Sequence, residues 1–290
     1  MKWITEDDAR FYGHWTNRNG TDSVQYYNEQ ITNRRKKYNF EKSEKYLPFI
    51  EQLNDKGYYK AENFFDKSLL LELKEETENL IREDKHIKRR DKNNIVVDQP
   101  FLYTKSASKI AFHDSLIQIA SMYFNCLPAI GTFNLRKSMV NDLPLDGTNL
   151  FHRDFNSTVK ILKFFFYLND VNKDNGPFTY VEESNRKMFE GWWLQHRWRD
   201  EELAMIYGKD KIKHLTANFG DMLMARTNGW HKGQKLVTGE RLMLTVNFVI
   251  HPELAGGRPQ TEEKRFQIKK EDYHNLSDHK KPVADFLIKV

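Results

Sequence analysis

Residues 241–250 alternate between apolar and polar side chains, and this alternation strongly constrains the fold. The set of alternate positions that begins at Leu242 is apolar, whereas Arg241, Thr245 and Asn247 belong to the other set. A period of two is typical of a β-strand that buries one face. The polar face either lies in water, as in many antiparallel strands, or lines a polar cavity. The alternation alone favours neither environment.

Helical patterns precede the strand patterns along the chain. Apolar residues are spaced as in helices over residues 46–56, 66–81 and 114–124, and period-two patterns dominate after Pro128. Residues 159–168 are apolar on both faces except for two lysines, which predicts a central strand. This order predicts a mainly β fold with flanking helices (α+β), built as a sandwich or a barrel.

The chain divides into two predicted parts. Residues 1–42 are polar and lack a sustained period, which predicts an N-terminal extension that is partly ordered or packed over the main domain. Residues 43–290 form the predicted main domain, with its core at 128–251. Within this core, the charged residues 185–215 predict a helical insertion.

Composition excludes a membrane span and an internal disulfide. The longest purely apolar run, Phe164–Leu168, is too short to cross a bilayer, and the first eight residues lack the apolar core of a signal peptide. The single cysteine, Cys126, is typical of a reducing compartment, so a cytoplasmic location is predicted. Nothing in the composition indicates an oligomeric state.

The net charge of +5 raises the question of a nucleic-acid partner. Basic residues cluster at Arg34–Lys37 and at Lys85–Lys92, and acidic stretches separate the two clusters. We interpret both clusters as solvated connecting segments in preference to a phosphate-binding patch.

A histidine two residues before an acidic residue is a common pattern. Ten histidines and 41 acidic residues among 290 positions give about 1.4 such triplets by chance, and the sequence has two. His152 and Asp154 precede a strand pattern, whereas His251 is followed by Pro252, which restricts the backbone and indicates a strand end. The first triplet is therefore the candidate site, and His251 is interpreted as structural.

The candidate site has the residue types of a non-haem iron centre. Residues two apart on a strand project to the same face, so His152 and Asp154 can bind one metal. His231, which glycines flank, is the predicted third ligand. Two imidazoles and one carboxylate hold Fe(II) and leave positions open for a keto acid and dioxygen. Arg241 offers a planar charged fork suited to the keto acid's distal carboxylate.

Other chemistry-bearing residues have simpler interpretations. His113 and His214 lack partners at ligand spacing and are predicted to be capping or surface residues. The pair Trp192–Trp193 is predicted to dock on the core, and Glu182–Glu183 follow a turn where exposure is expected.

The order of the motifs resembles the phytanoyl-CoA dioxygenase family of Fe(II)/2-oxoglutarate oxygenases over about residues 46–251. The matching segments are Phe49–Tyr59, Glu62–Phe65, Phe151–Asp154, Phe166–Pro177 and Gly220–Leu223, followed by His231 and Arg241.

The resemblance implies a double-stranded β-helix (jelly-roll, cupin-like) core. It also implies that His152, Asp154 and His231 bind iron and that Arg241 binds the cosubstrate 2-oxoglutarate. A looser alignment adds Lys105 as a cosubstrate contact, together with a residue of the strand over 136–139.

The predicted reaction follows from the resemblance and from one carboxylate. Halogenating relatives lack the residue at Asp154, so hydroxylation of a small organic substrate is expected, with dioxygen consumed and succinate and CO2 released. Residues 182–185 read Glu-Glu-Ser-Asn where the family commonly has Pro-Gly-Ser-His, so the family's substrate class is not transferred. Two alternatives stay open: a cupin-like isomerase or binding module without oxidation, and a nucleic-acid-modifying oxygenase.

Overall fold

The structure is a computed structural model that describes residues 3–4, 23–154, 161–191, 195–251 and 265–290. The helices are α1 (Ser23–Lys37), α2 (Leu47–Lys56), α3 (Lys67–Arg82), α4 (Pro100–Tyr103), α5 (Lys105–Ala111), α6 (Asp114–Phe124), α7 (Asp200–Tyr207) and α8 (Lys270–His274). The strands are β1 (Trp3–Ile4), β2 (Tyr58–Ala61), β3 (Ile87–Arg90), β4 (Asn94–Val97), β5 (Ala129–Met139), β6 (Leu162–Tyr167), β7 (Phe178–Val181), β8 (Met188–Phe189), β9 (Ile212–Leu215), β10 (Met222–Ala225), β11 (His231–Gly233), β12 (Glu240–Val249), β13 (Gln267–Ile268) and β14 (Ile288–Lys289).

Two antiparallel sheets form the body of the fold. The large sheet has seven strands in the order β2-β10-β6-β12-β5-β4-β3, and the small sheet has three in the order β11-β7-β9. The predicted central strand is β6, which pairs with β10 on one side and β12 on the other. Because the strand order does not follow the chain order, residues far apart in sequence become neighbours across the sheet.

One face of the large sheet packs on the helices. The apolar side chains of β12, such as Leu244 and Phe248, share a buried cluster with Leu70 of α3 and Leu116 of α6. Burial of such side chains is the main favourable term in folding. The apolar side chains among residues 241–250 therefore face the helices.

The other face of the large sheet is turned toward the small sheet. The ring of Phe165 on β6 lies 4.6 Å from that of Phe178 on β7. The backbone N–H of Phe178 donates to the hydroxyl of Tyr167, also on β6. The polar side chains among residues 241–250 therefore lie between the two sheets and line the interior of the fold.

Local capping residues set the ends of the helices. Gly57 ends α2 with a φ of +91°, a conformation that favours glycine, and its N–H donates to Leu53. Asp66 caps α3 by accepting from the N–H of Ser68. At α6 the cap is His113, whose Nδ1 accepts from the N–H of Ser115, and Asp114 is the first helical residue.

Three predictions from the sequence differ from the structure. Among the described residues of 185–215, the α-helix is limited to Asp200–Tyr207, and Ile212–Leu215 instead join the small sheet beside β7. The basic segment over 85–92 contains an edge strand, β3, where charged side chains are readily accommodated. The basic residues 34–37 end a helix and are not a connecting loop.

Arg34 joins helix α1 to the rest of the chain. Its buried guanidinium donates to the carbonyls of Leu127, Pro128 and Pro282, and it pairs with Asp285 at 3.4 Å. Part of the predicted extension therefore packs on the main domain. Among the described residues, no helix combines the length and the apolar character needed to cross a membrane.

Replacing Arg34 with methionine should lower the free energy of unfolding by about 2–4 kcal/mol, because buried acceptors and a carboxylate lose a charged donor. The shift in the urea midpoint measures this loss. Arg35→Met is the matched control, since Arg35 is exposed and, among the described residues, donates to the carbonyl of Asn125. Equal midpoints for both variants would contradict the role of Arg34.

Candidate metal centre

The two histidines of the centre are held together by the backbone. His152 and His231 form an isolated antiparallel bridge in which each N–H donates to the other residue's carbonyl, at 2.9 and 3.0 Å. Residues directly opposite in such a pair project their side chains to the same side, and the two rings lie 4.3 Å apart. The strand predicted to run through 152–154 pairs only at His152, next to a second isolated bridge between Phe151 and Trp198, among the described residues.

Asp154 completes the group from the bend that follows. Its N–H donates to the carbonyl of Thr227, in the turn before β11. One ligand atom from each of His152, Asp154 and His231 lies within 4.8 Å of the others, and Asp154 Oδ2 lies 3.6 Å from His231 Nε2. The structure thus brings together the three side chains that the sequence predicts as ligands.

Each imidazole has its outer nitrogen engaged by a carbonyl. His152 Nδ1 lies 3.0 Å from the carbonyl of Leu150, and His231 Nδ1 lies 2.9 Å from that of Gly229. A carbonyl at Nδ1 fixes the proton there and leaves Nε2 with a lone pair for a metal.

Burial sets the charge state of the three side chains. It lowers the pKa of His231 to about 3, and it lowers the pKa of His152 below its usual value. Burial opposes ionisation of Asp154, but the Lys163 ammonium and the two imidazoles outweigh it and hold the pKa of Asp154 well below its usual range. Two neutral imidazoles and one carboxylate at neutral pH are the donor set that Fe(II) requires, so these residues fit the metal.

Arg241 lies on the interior face of β12, close to this group. One terminal nitrogen donates to the carbonyl of Gly176, and the other lies 3.4 Å from Ser138 Oγ. A Cβ built on Gly233, two residues after His231, would lie 3.3 Å from the guanidinium. Burial lowers the pKa of Arg241, and the neighbouring Tyr167 opposes this effect by raising it.

The guanidinium of Arg241 has no carboxylate partner among the described residues, and its Nε donates to none of them. Only 6 % of the residue is exposed. A buried cation without a counter-charge is strongly unfavourable. The position therefore suits an anionic ligand.

A second arginine lies beside the first. Arg136 on β5 is cross-strand partner to Met243 and projects to the same interior face as Ser138. Burial lowers the pKa of Arg136, nearby Arg89 and Arg241 lower it further, and Asp91 raises it. It belongs to the strand over 136–139 that the looser alignment selects.

Lys105 lies elsewhere in the described structure. It is exposed at the start of α5, and its backbone N–H donates to Glu76 of α3. This contact involves neither the three clustered side chains nor Arg241, and the cosubstrate role of Lys105 stays a prediction.

The other candidates have structural contacts. His214 Nδ1 lies 3.0 Å from Thr179 Oγ1. Glu182 accepts from the Tyr58 hydroxyl, and Glu183 pairs with three basic side chains, including that of Arg186. Residues 192–193, the predicted tryptophan anchor, lie outside the described residues.

Lys163 is the residue that sequence reasoning missed. Its Nζ lies 2.5 Å from Asp154 Oδ2, from the interior face of β6. The sequence contains a signal for this contact, because Lys163 interrupts an otherwise apolar strand. A lysine on a central strand is expected to have a buried anionic partner.

Comparisons with solved structures identify the fold. The epimerase SnoN of nogalamycin biosynthesis, a non-haem α-ketoglutarate-dependent enzyme, is 15 % identical over 70 % of this chain and 81 % of its own, with a TM-score of 0.52. HygX from Streptomyces hygroscopicus, with nickel and 2-oxoglutarate bound, is 13 % identical over 70 % and 86 %, with a TM-score of 0.51. EctD from S. alaskensis, with bound Fe, is 16 % identical over 77 % and 79 %, with a TM-score of 0.53.

These likenesses show the fold, a jelly-roll that this chain shares with SnoN, HygX and EctD. The predicted fold class is confirmed. No family model and no curated protein matches the chain.

Replacing His231 with alanine should weaken Fe(II) binding by more than about 100-fold, because changes outside the ligand sphere alone weaken it 10–100-fold. Calorimetric titration of the anaerobic protein with Fe(II) measures the affinity. His214→Ala is the matched control and should bind iron as the wild type does. Unchanged affinity in His231→Ala would refute the ligand assignment.

Proposed function

We propose that the chain is an Fe(II)- and 2-oxoglutarate-dependent oxygenase that hydroxylates a small organic substrate. The observation that carries the proposal is Arg241, a buried guanidinium beside the clustered His152, Asp154 and His231. A metal-binding jelly-roll without a keto acid has no use for such a cation, whereas a dicarboxylate cosubstrate needs it.

Each residue of the site has a defined task in this proposal. His152, Asp154 and His231 hold the metal, and Arg241 with Ser138 binds the distal carboxylate of 2-oxoglutarate. The chemistry that iron and the cosubstrate supply when bound is oxidative: dioxygen is consumed, succinate and CO2 are released, and one oxygen atom becomes available to the substrate.

Aromatic side chains close the cosubstrate end of the interior to water. The ring of Phe178 lies 5.6 Å from the His231 ring and packs on Phe165. The pKa of buried Tyr167 is raised, so its hydroxyl stays protonated beside the Arg241 cation. A dry surrounding strengthens the attraction between the guanidinium and an incoming carboxylate.

We also propose the phytanoyl-CoA dioxygenase-like subgroup and a cytoplasmic location. The order of the motifs from residue 46 to Arg241 supports the subgroup. The buried thiol of Cys126, whose pKa burial raises to about 11, supports a reducing compartment in which no disulfide is needed.

Arg241→Leu should weaken 2-oxoglutarate binding by about 2–5 kcal/mol, the loss expected when one member of a desolvated charge pair is removed. Arg241→Lys should restore part of it, because a point charge cannot reproduce the planar fork. Anaerobic titration of the iron-loaded protein, followed by the metal-to-ligand charge-transfer band, gives the affinities.

Arg186→Leu is the matched control, since Arg186 is a partly exposed arginine that pairs with Asp55 and Glu183. Iron affinity should be unaltered in all these variants. The cosubstrate assignment would be lost if Arg241→Leu bound 2-oxoglutarate as tightly as the wild type.

The iron-loaded protein should convert 2-oxoglutarate slowly to succinate in air without an added substrate. The conversion should stop when a chelator removes the iron, because the proposed chemistry requires the metal. Chromatographic measurement of succinate, with the Asp154→Ala variant as control, tests this expectation. A protein that binds both iron and 2-oxoglutarate but forms no succinate across a broad substrate panel would instead be a binding module.

A further inference from the structure

A row of polar side chains crosses the large sheet at the end opposite Arg241. Cross-strand pairing places Tyr58, Ala225, Lys163, Asn247 and Thr132 side by side on five successive strands. Paired residues of this kind project to the same face and lie about 4.5–5.5 Å apart. Lys163 thus lies between Ala225 on one side and Asn247 on the other.

This row and Arg241 are at opposite ends of the same interior face. Arg241 and Asn247 are six residues apart on β12, which corresponds to about 20 Å. The metal-binding side chains lie between them, since Asp154 contacts Lys163 and Gly233, two residues after His231, lies against Arg241. A cosubstrate bound at Arg241 therefore leaves the Lys163 end for the substrate.

The Lys163 end is also the more accessible one. The side chains of Lys163 and Asp154 are 22 % and 20 % exposed, whereas Arg241 is 6 % exposed. A substrate that enters from solvent reaches Lys163 before it reaches the arginine.

The charges of the proposed complex balance without Lys163. A divalent metal and Arg241 offset Asp154 and a dicarboxylate cosubstrate, with three positive and three negative charges. Once a metal takes up Asp154, the Lys163 ammonium loses the carboxylate with which it pairs in the described structure. A partly buried cation in that position favours an anionic partner.

Asn247 adds a requirement of its own. The residue is 2 % exposed, and its Oδ1 accepts no hydrogen bond from the described residues. A buried amide oxygen without a donor is unfavourable by about 1–3 kcal/mol. A ligand that offers a hydroxyl or an N–H would satisfy it.

We propose that Lys163 and Asn247 form the substrate subsite and that the substrate is a small organic acid. Its carboxylate or phosphate binds Lys163, and a neighbouring hydroxyl or N–H donates to Asn247. The inference rests on the proposed function and names the substrate class of that site. The rival role for Lys163 is to hold Asp154 and nothing more.

Acetate is a suitable probe, with acetamide as its neutral counterpart. The protein loaded with paramagnetic Co(II) and 2-oxoglutarate should enhance the relaxation of the acetate methyl protons more than that of acetamide. Lys163→Gln should lower the acetate affinity about tenfold or more, because a charged hydrogen bond is removed. Lys163→Arg should retain the preference for acetate.

Lys137→Gln is the matched control. Lys137 is 21 % exposed and pairs with Glu240 at 2.6 Å, so it resembles Lys163 in exposure and partner. Asn247→Asp provides a second test that leaves the lysine in place. The new carboxylate should neutralise the ammonium and abolish the acetate preference while Co(II) binding persists.

Several outcomes would overturn the inference. The first is that the wild type enhances the relaxation of acetate and acetamide equally. The second is that the preference for acetate persists in Lys163→Gln, and the third is that it persists in Asn247→Asp. Survival in Lys163→Gln would mean that acetate binds the metal itself. Titration of the same samples with 2-oxoglutarate separates the two proposals. A wild-type protein that does not bind 2-oxoglutarate would contradict the proposed oxygenase, whereas one that binds it without preferring acetate would contradict only the substrate subsite.

Discussion

The pair of backbone hydrogen bonds between His152 and His231 is the interaction on which the site depends. These two residues are 79 positions apart in the chain, yet each donates to the other, so neither imidazole can shift along the chain without breaking a buried bond. The bridge also brings the bend at Asp154 against the turn at Thr227. Two loops are thereby joined without a disulfide.

The sheets supply the other half of the arrangement. Packing of Leu244 and its apolar neighbours against the helices determines which way β12 faces. A slip of one residue in the register would turn Arg241 toward the helices and Leu242 toward the interior. The hydrophobic effect on one side of the strand thus places a charge on the other side.

Much of this arrangement could be predicted from local patterns. The alternation over 241–250 predicted which face of β12 is buried, and the helical spacing over 46–56 predicted the end of α2, because both depend on residues close together in sequence. The contact of Lys163 with Asp154 could not be predicted in this way, since it depends on how a bend lies over a central strand. The predicted helix over 185–215 was wrong for Ile212–Leu215 because pairing with β7 outweighed the charged composition.

Helix α1 has a consequence for the order of folding. The guanidinium of Arg34 contacts Asp285, which lies 251 positions later in the chain. Contacts between such distant residues close a long loop and tend to form late. During synthesis, α1 leaves the ribosome long before Pro282 and Asp285 exist, so it is translated early but completes its contacts among the last. Until then, the Arg34 guanidinium lacks the carbonyl of Pro282 and the carboxylate of Asp285, and the main domain must assemble without this helix in its final contacts.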